Sequence, residues 1–168
     1  MLIQIVRHTP PWVWGLLAAL VALGLSQTLP RQMSTRRVTV LPIVLLALSL
    51  AGVATTFSHQ ALPVLAWAAG VAIAVAAGRS VVNARGARWD ATTARLHVPG
   101  SWLPLVLIMG LFLTKYAVGV ALAMHSSLAS ELGFDVAVGL AYGVFSGLFI
   151  ARAAALWQLA RRAGTAAA

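Results

Sequence analysis

The chain has 168 residues, enough for a single domain. Its hydrophobic fraction is 61%, its charged fraction is 9% and its mean hydropathy is +0.91. A soluble globular protein carries about 25% charged residues, because its surface must face water. The composition therefore excludes a water-soluble globule and indicates a surface that faces lipid.

The charges are strongly basic, with 12 Lys and Arg against 3 Asp and Glu and a formal net charge of +9. In a soluble protein this imbalance would suggest nucleic-acid binding. Here the arginines fall in short clusters between apolar runs, as expected of charges that orient a membrane protein. We therefore expect no nucleic-acid partner. The absence of cysteine excludes disulfides, thiolate chemistry and Cys-based metal sites.

Five apolar segments approach the length of about 20 residues that crosses a bilayer core. They cover residues 11–29, 38–57, 61–78, 101–124 and 136–159. Pro10-Pro11 suits the start of the first helix, and only Ser58-His59-Gln60 separates the second and third spans, which predicts a tight turn. The sequence thus predicts an all-α integral membrane bundle of five transmembrane helices, forming one domain over residues 1–168.

The longest polar stretch joins the third and fourth spans, from Arg79 to Gly100. Within it, Arg88-Trp89 and Arg95-Leu96-His97-Val98 flank a polar turn that begins at Asp90. Short runs of this kind around turn residues indicate paired strands. The stretch predicts a short β-hairpin, and an irregular loop is the alternative.

Arginine counts predict the orientation of the chain in the membrane. Three basic segments lie on one side if there are five spans: Arg31, Arg36 and Arg37; Arg79, Arg85, Arg88 and Arg95; and Arg161 and Arg162. The other side holds Arg7, the turn at residues 58–60 and an acidic stretch with Glu131 and Asp135. Because basic loops stay in the cytoplasm, we expect the N-terminus outside and the C-terminus in the cytoplasm.

Small residues recur at every fourth position on two spans. The fifth span carries Gly139, Gly143 and Gly147, and the third carries Gly70 and Gly78 on a similar stripe with Ala66 and Ala74. In lipid, such residues let helix backbones approach closely and so hold helices together. We expect tight crossings here, either within the chain or between copies in a homo-oligomer.

Lys115 lies near the middle of the fourth span. An ionisable side chain there costs at least ~2.5–3.5 kcal/mol on insertion scales, so it usually faces a cavity or a partner. Its candidate polar neighbours are Thr114, Tyr116, Tyr142 and Ser146. The functional interpretation is a ligand or ion pathway for a small anion or a lipid headgroup. The structural interpretation is a lysine that snorkels to the membrane surface or bonds within its helix.

Arg152, in the fifth span, is the second intramembrane cation. Arg152 and Lys115 would line one positively charged cavity if both face the interior of the bundle. The structural alternative is an arginine that snorkels toward the nearer membrane surface, close to Trp157.

The four histidines raise the question of a metal or haem. None has the i,i+4 spacing of a helical ligand pair, and none lies at the mid-membrane position that haem ligation requires. The chain also contains neither a phosphate-binding glycine loop nor an HExxH motif. We therefore expect no metal, no other cofactor, no catalytic residues and no enzymatic activity.

Two sets of short motifs resemble known membrane families. The opening His8-Thr9-Pro10-Pro11-Trp12-Val13-Trp14, followed by Arg31 to Arg37 and Leu41-Pro42, resembles an uncharacterised family of small multi-span bacterial inner-membrane proteins. Gly78-Arg79, the Asp90 turn, Gly100-Ser101 and Phe112 to Tyr116 are more distantly similar to CcdC-like membrane proteins, associated by name with cytochrome c biogenesis. That pattern often has arginine where Lys115 stands. The resemblance implies the fold and a bacterial inner-membrane location. It does not imply a particular activity.

Two functions fit these features best, and an intramembrane enzyme, which would need a pocket with convergent His, Tyr and a carboxylate, is third. The first is a small transporter, channel-like or lipid- or anion-binding protein that uses Lys115, which requires a polar cavity reaching that residue. The second is a non-catalytic scaffold or assembly factor for a respiratory or cytochrome system, which predicts a dry bundle and a glycine stripe that faces a partner.

Overall fold

The computed structural model describes residues 9–56, 61–81, 86–90, 93 and 95–166. This part of the chain contains five α-helices and three short strands. The helices are α1 (Pro11–Ser26), α2 (Thr35–Thr56), α3 (Leu62–Val81), α4 (Leu103–Met124) and α5 (Leu132–Ala166), with a 3-10 helix at Ser126–Ser130. The strands are β1 (Arg31–Met33), β2 (Arg88–Asp90) and β3 (Arg95–Val98). Each helix overlaps one predicted span, whereas the turn predicted at residues 58–60 lies outside the described residues.

Three segments are long and apolar enough to cross a membrane, by length and composition: Val38–Thr56, Leu103–Met124 and Leu132–Arg162. They support a multi-pass membrane protein. Pro11–Ser26 and Leu62–Gly78 are shorter apolar helices, so the prediction of five full spans is met in part. The first helix ends earlier than expected because the chain turns after Ser26, whose hydroxyl donates a hydrogen bond to the Leu23 carbonyl at 2.6 Å.

The fifth helix is much longer than the predicted span at residues 136–159. Its 35 residues correspond to about 52 Å at 1.5 Å per residue, against about 30 Å of hydrocarbon core. The helix starts early enough to include Asp135 in its first turn. It also continues far enough for Leu156 and Ala160 to pack against the strands. α5 therefore connects the apolar bundle with the small sheet.

The three strands form an antiparallel sheet in the order β1-β3-β2. The predicted hairpin is confirmed, with Asp90 opposite Arg95 across its turn. The third strand was not predicted: β1 pairs with β3 through Arg31 opposite Val98, 67 residues along the chain. A strand of three residues is too short to show periodicity, so this pairing was invisible in the sequence.

One face of the sheet packs on the ends of two helices. Leu96 and Val98 alternate inward along β3 and contact Val38 of α2 and Leu156 of α5. We call this the sheet end of the bundle, and the region around the 3-10 helix the far end. The sheet thus caps the bundle at the end where the predicted orientation places the cytoplasm.

α5 is the central helix and contacts α2, α3 and α4, whereas α1 packs on α4. α1 and α4 run antiparallel, since Gly24 lies against Leu105 and Thr9 contacts Tyr116. Many large apolar side chains remain exposed on the outer faces, including Ile43, Leu48, Leu65, Ile73, Leu113 and Trp102. Exposed apolar side chains in this number fit contact with lipid.

Candidate functional site

The three glycines of α5 lie directly against the backbone of α3. A Cβ atom at Gly139 would meet Pro63, one at Gly143 would meet Trp67, and one at Gly147 would lie 2.6 Å from the Val71 carbonyl oxygen. The partners advance by four residues with each glycine, so the two helices run parallel in constant register. The backbones therefore approach at a distance that any side chain would prevent.

The other two candidate packing glycines belong to α3. A Cβ atom at Gly70 would lie 2.5 Å from the Leu140 carbonyl oxygen of α5, and Gly78 is buried. The glycine stripe of α5 is therefore covered by α3 within one chain. Association of copies through that stripe remains a prediction that a single chain does not test.

The amine of Lys115 reaches from α4 toward two other helices. Its Nζ atom lies 5.4 Å from the centroid of the Tyr142 ring on α5, a contact in which the aromatic face attracts the cation. A Cβ atom at Gly52 of α2 would lie 2.9 Å from the same Nζ atom, so the missing side chain of Gly52 makes room for the amine. The lysine amine lies beside neighbouring helices rather than extending along its own helix to the membrane surface, and the residue is exposed on the surface of the bundle.

Two of the predicted neighbours of Lys115 have other partners. The Tyr116 hydroxyl lies 2.8 Å from the Thr9 hydroxyl, and its ring stacks on that of Phe112. The Thr114 hydroxyl donates to the Gly110 carbonyl of its own helix at 2.8 Å. These contacts stabilise α4 and its packing against the start of α1.

Tyr142 belongs to a buried hydrogen-bonded group that includes an unpredicted residue, Ser49. Trp67 Nε1 donates to the Ser49 hydroxyl at 3.2 Å, which donates to the Tyr142 carbonyl at 3.5 Å. Ser49 is 2% exposed and Tyr142 is 4% exposed. The group links α2, α3 and α5, and Ser146 is buried one turn after Tyr142. A serine in an apolar helix usually bonds its own backbone, so the sequence did not mark Ser49.

Arg152 lies at the sheet end, away from Lys115. Its Nη1 atom donates a hydrogen bond to the Ser101 hydroxyl at 3.3 Å. Ser101 precedes Lys115 by 14 residues, mostly helical, which corresponds to about 21 Å along α4. The structure does not bring the two intramembrane cations into the common cavity that the sequence suggested.

Arg152 instead shares a cavity of about 40 Å³ with Arg31 of β1. The two arginines and Gln27 supply its polar wall, and both arginines carry a positive charge. The remaining lining residues are apolar: Met33, Val38, Pro42, Val98, Pro104, Phe149, Ala153 and Leu156. No carboxylate is among the described residues that line this space. We call it the Arg31–Arg152 cavity.

Local backbone contacts bring these residues together. The Ser101 amide donates to the Gln27 carbonyl at 3.0 Å, and Gly100 passes so close to the Thr28 carbonyl that a side chain would not fit. Arg31 then donates from Nη2 to the Gln27 side-chain oxygen at 2.9 Å. These contacts hold the segment after α1 against the start of α4. The sequence analysis counted Arg31 only as an orienting charge, because nothing local to it reveals this pairing.

Asp135 is the second position that sequence reasoning misplaced. It was expected in an outer loop, but it is fully buried and lies within the candidate span Leu132–Arg162. The expectation was wrong because α5 begins at Leu132, before the apolar run. A carboxylate in the first turn of a helix is stabilised by the positive end of the helix dipole.

No group of three or more His, Cys, Asp or Glu residues suited to a metal occurs in the described part of the chain. His97 and His125 lie far apart in the fold, on β3 and after α4. His8 and His59 lie outside the described residues.

Comparison with known protein families identifies the family of the chain. The model of DUF6622, a family of unknown function, matches residues 1–167. The chain belongs to this family. The predicted membership of an uncharacterised family is thereby confirmed. No curated protein and no solved structure matches the chain. Membership of DUF6622 specifies no activity, so the function must be argued from the geometry of the site.

Proposed function

We propose that this DUF6622 protein is a non-catalytic, multi-pass protein of the bacterial inner membrane that binds an anionic ligand in the Arg31–Arg152 cavity. One observation carries the proposal: guanidinium groups from a strand and a distant helix face the same small space. Bringing two like charges together in partly buried surroundings costs free energy. An anion between them would offset that cost, and the planar fork of arginine suits phosphate and carboxylate oxygens.

The polar neighbours of the arginines support a binding role. Gln27 accepts a hydrogen bond from Arg31, and Ser101 accepts one from Arg152. Both acceptors are neutral, so these two hydrogen bonds orient the guanidinium groups without forming an ion pair. A carboxylate in either place would instead form an ion pair with the arginine, and less of the guanidinium charge would then be available to a ligand.

The position of the cavity favours a lipid headgroup as the anion. Its remaining walls are apolar and come from α2, α4, α5 and the sheet, with Pro42, Pro104 and Phe149 among them. It lies at the sheet end, which the arginine distribution predicts to be cytoplasmic. Basic pockets between helices on the cytoplasmic side commonly bind anionic lipid headgroups.

Native mass spectrometry of the detergent-solubilised protein would test this proposal. We would compare a mixture of phosphatidate and phosphatidylglycerol with phosphatidylcholine of the same acyl chains. Arg152→Gln should lower the binding of the anionic lipids about tenfold or more, because a charged hydrogen bond contributes about 1.5–3 kcal/mol and 1.4 kcal/mol is a factor of ten. Equal binding by the wild type and the variant would overturn the proposal.

Arg161→Gln is the matched control. Arg161 lies on the same helix, is exposed and is placed over the Trp157 ring at 4.6 Å, so its removal should leave lipid binding unchanged. Arg152→Lys is a conservative variant that keeps the positive charge at this position, so it controls for misfolding caused by loss of that charge. Thermal unfolding of every variant would show that the bundle is intact.

Anion transport that uses Lys115 is a second proposal. It is supported by the place of the amine between α2 and α5, beside the buried Ser49–Tyr142 hydrogen bond. Flux of a small anion into proteoliposomes should then fall to background in Lys115→Met and persist in Lys115→Arg. If the protein neither binds anionic lipid nor conducts, the scaffold or assembly factor suggested by the distant similarity to CcdC-like proteins becomes the leading alternative.

A further inference from the structure

Lys115 lies on the stripe of α4 that packs inward, yet the residue is exposed. Leu111 and Val118, one turn before it and one turn after it, pack against the cluster that contains Val53 and Tyr142. Residues at this spacing share one face of a helix, but Lys115 differs from its two neighbours in being exposed. An inward-facing residue is exposed only where the surrounding helices leave a gap. The bundle therefore opens at the level of Lys115.

The gap lies between α2 and α4. Both helices pack on α5, but they scarcely contact each other. Lys115 reaches across from α4, and its Nζ atom lies 2.9 Å from the position that a Cβ atom of Gly52 on α2 would take. The Tyr142 ring of α5, with its centroid 5.4 Å from the same Nζ atom, closes the third side. We call this space the Lys115 crevice.

The crevice lies deep in the membrane. The helix that carries Lys115 is the candidate span Leu103–Met124. The lysine is about 14 Å along the helix from its far end and about 18 Å from its start, at 1.5 Å per residue. In a hydrocarbon core about 30 Å thick, these distances place Lys115 near the middle. Phospholipid headgroups and their ester carbonyls lie at the edges of the core, so they do not reach the crevice.

The amine has hydrogen-bond donors to satisfy at this depth. A lysine ammonium group carries three N–H donors, and among the described residues its polar interaction is with the Tyr142 ring. The chain has only three acidic residues. Asp90 lies in the hairpin, Glu131 ends the 3-10 helix at the far end, and Asp135 is fully buried seven residues before Tyr142. We therefore look for the acceptor in another molecule.

A neutral carbonyl oxygen fits the crevice better than a carboxylate does. A carboxylate would have to leave water before it could pair with Lys115, and the desolvation of a second ion offsets much of the attraction. A carbonyl oxygen enters hydrocarbon at far lower cost and still accepts hydrogen bonds from the ammonium group. The apolar residues Leu111, Val118 and Val53 around the crevice suit a hydrocarbon body attached to that carbonyl. Quinones with a long apolar tail combine these two features and dissolve in the bilayer core.

We propose that the Lys115 crevice binds a carbonyl oxygen of a lipid-soluble quinone, which enters sideways from the bilayer between α2 and α4. The ammonium group donates the hydrogen bond, and no electron transfer is involved. This ligand is separate from the anion in the Arg31–Arg152 cavity, so Arg152→Gln should leave quinone binding unchanged. A crevice that opens to lipid also keeps water-soluble reagents away from the amine.

Solid-state NMR can detect the contact directly, because Lys115 is the only lysine in the chain. Protein labelled with ¹⁵N at the lysine Nζ atom gives a single side-chain amine signal. The probe is decylubiquinone labelled with ¹³C at both carbonyls, whose fully substituted ring does not add amines. In phosphatidylcholine bilayers, we expect the ¹³C labels to dephase the Nζ signal. An excess of unlabelled decylubiquinone should abolish the dephasing, whereas an excess of decylbenzene, which has no carbonyl, should not.

Dissociation constants from native mass spectrometry would test the role of the amine. Lys115→Met should weaken the binding of decylubiquinone about tenfold or more, because a hydrogen bond from a charged donor is lost. Lys115→Arg keeps the donors and should retain binding. Gly52→Ala should weaken binding, because its methyl group would displace the amine. Gly15→Ala on α1 is the matched control, since nothing lies within 4 Å of a Cβ atom there. Thermal unfolding of each variant would show that the bundle is intact.

Each other outcome would overturn part of the inference. An Nζ signal without dephasing, or equal affinity of the wild type and Lys115→Met, would exclude the amine from quinone binding. Oleate that binds to the crevice more tightly than decylubiquinone would show that the site takes a carboxylate, as the anion-transport proposal requires. Dioleoylglycerol that binds as tightly as decylubiquinone would assign the site to ester carbonyls. Loss of quinone binding in Arg152→Gln would show that the two sites are not separate.

Discussion

Arg152 Nη1 and the Ser101 hydroxyl lie 3.3 Å apart, although the residues are separated by 51 positions in the chain. The contact joins the part of α5 that approaches the sheet to the segment that begins α4. It orients the guanidinium group toward the bundle rather than along α5 toward Trp157. Arg152 thereby faces Arg31, and the sheet end acquires a cavity with two positive charges.

The close contact between the glycine stripe of α5 and the backbone of α3 should tolerate no side chain. A Cβ atom at Gly143 would meet the Trp67 backbone, which cannot move aside as a flexible side chain can. Gly143→Leu should therefore lower the free energy of unfolding in mixed micelles by about 1–3 kcal/mol or more. Gly119→Leu on α4 is the control, since nothing lies within 4 Å of a Cβ atom there. Similar stability of the two variants would contradict the close packing of α3 and α5 at Gly143.

The packing of the sheet on α5 should contribute to the stability of the whole bundle. Leu96 is 1% exposed and packs in the cluster that contains Leu156 and Ala160. Leu96→Ala should cost about 2–5 kcal/mol in the free energy of unfolding, as other buried leucines do. His97→Ala, on the exposed side of the same strand, should change stability by less than about 0.5 kcal/mol. A negligible effect of Leu96→Ala would show that the sheet is an independent appendage.

Lys115 should react slowly with water-soluble amine reagents. It is the only lysine and lies nine residues before the end of α4 at Met124, about 14 Å along the helix. With the N-terminal amine blocked, we expect labelling about tenfold or more slower than in the double variant Lys115→Met, Ser126→Lys, whose amine lies at an exposed position. Fast labelling of the wild type would contradict a lysine held against Tyr142 and would favour a hydrated pathway.

The predicted orientation can be tested with single cysteines, because the chain has none. Thr93→Cys places a thiol beside the β2–β3 hairpin, and Ser126→Cys places one in the 3-10 helix at the far end; both positions are exposed. In right-side-out vesicles, a membrane-impermeant maleimide should label Ser126→Cys, and should label Thr93→Cys only after permeabilisation. The reverse pattern would place the Arg31–Arg152 cavity on the outside.

Features that depend on local sequence were predictable. Apolar runs indicated the five helices of the described residues, and turn residues around Asp90 indicated the hairpin of β2 and β3. The spacing of Gly139, Gly143 and Gly147 indicated a close crossing. It did not indicate which helix is crossed, because every helix in lipid presents a similar apolar surface.

Features that depend on contacts between distant residues were not predictable. β1 has three residues, and its partner strand lies more than 60 residues away. Arg31 was therefore counted only as an orienting charge. That it lines the same cavity as Arg152 becomes visible only in the three-dimensional structure. Lys115 drew attention for its cost in lipid, and only the structure shows that its amine lies over the Tyr142 ring and in the space left by Gly52. The position of Asp135 was missed because α5 starts before its apolar run.

The central claim is that the Arg152 guanidinium group touches a lipid phosphate, and solid-state NMR measures that contact directly. Protein with ¹⁵N-labelled arginine would be reconstituted in bilayers that contain phosphatidate, and dephasing of the guanidinium signals by ³¹P would be recorded. We predict a dephased signal that persists in Arg161→Gln and disappears in Arg152→Gln. Identical dephasing in the wild type and Arg152→Gln would contradict the account, because the lipid phosphates would then meet only other arginines.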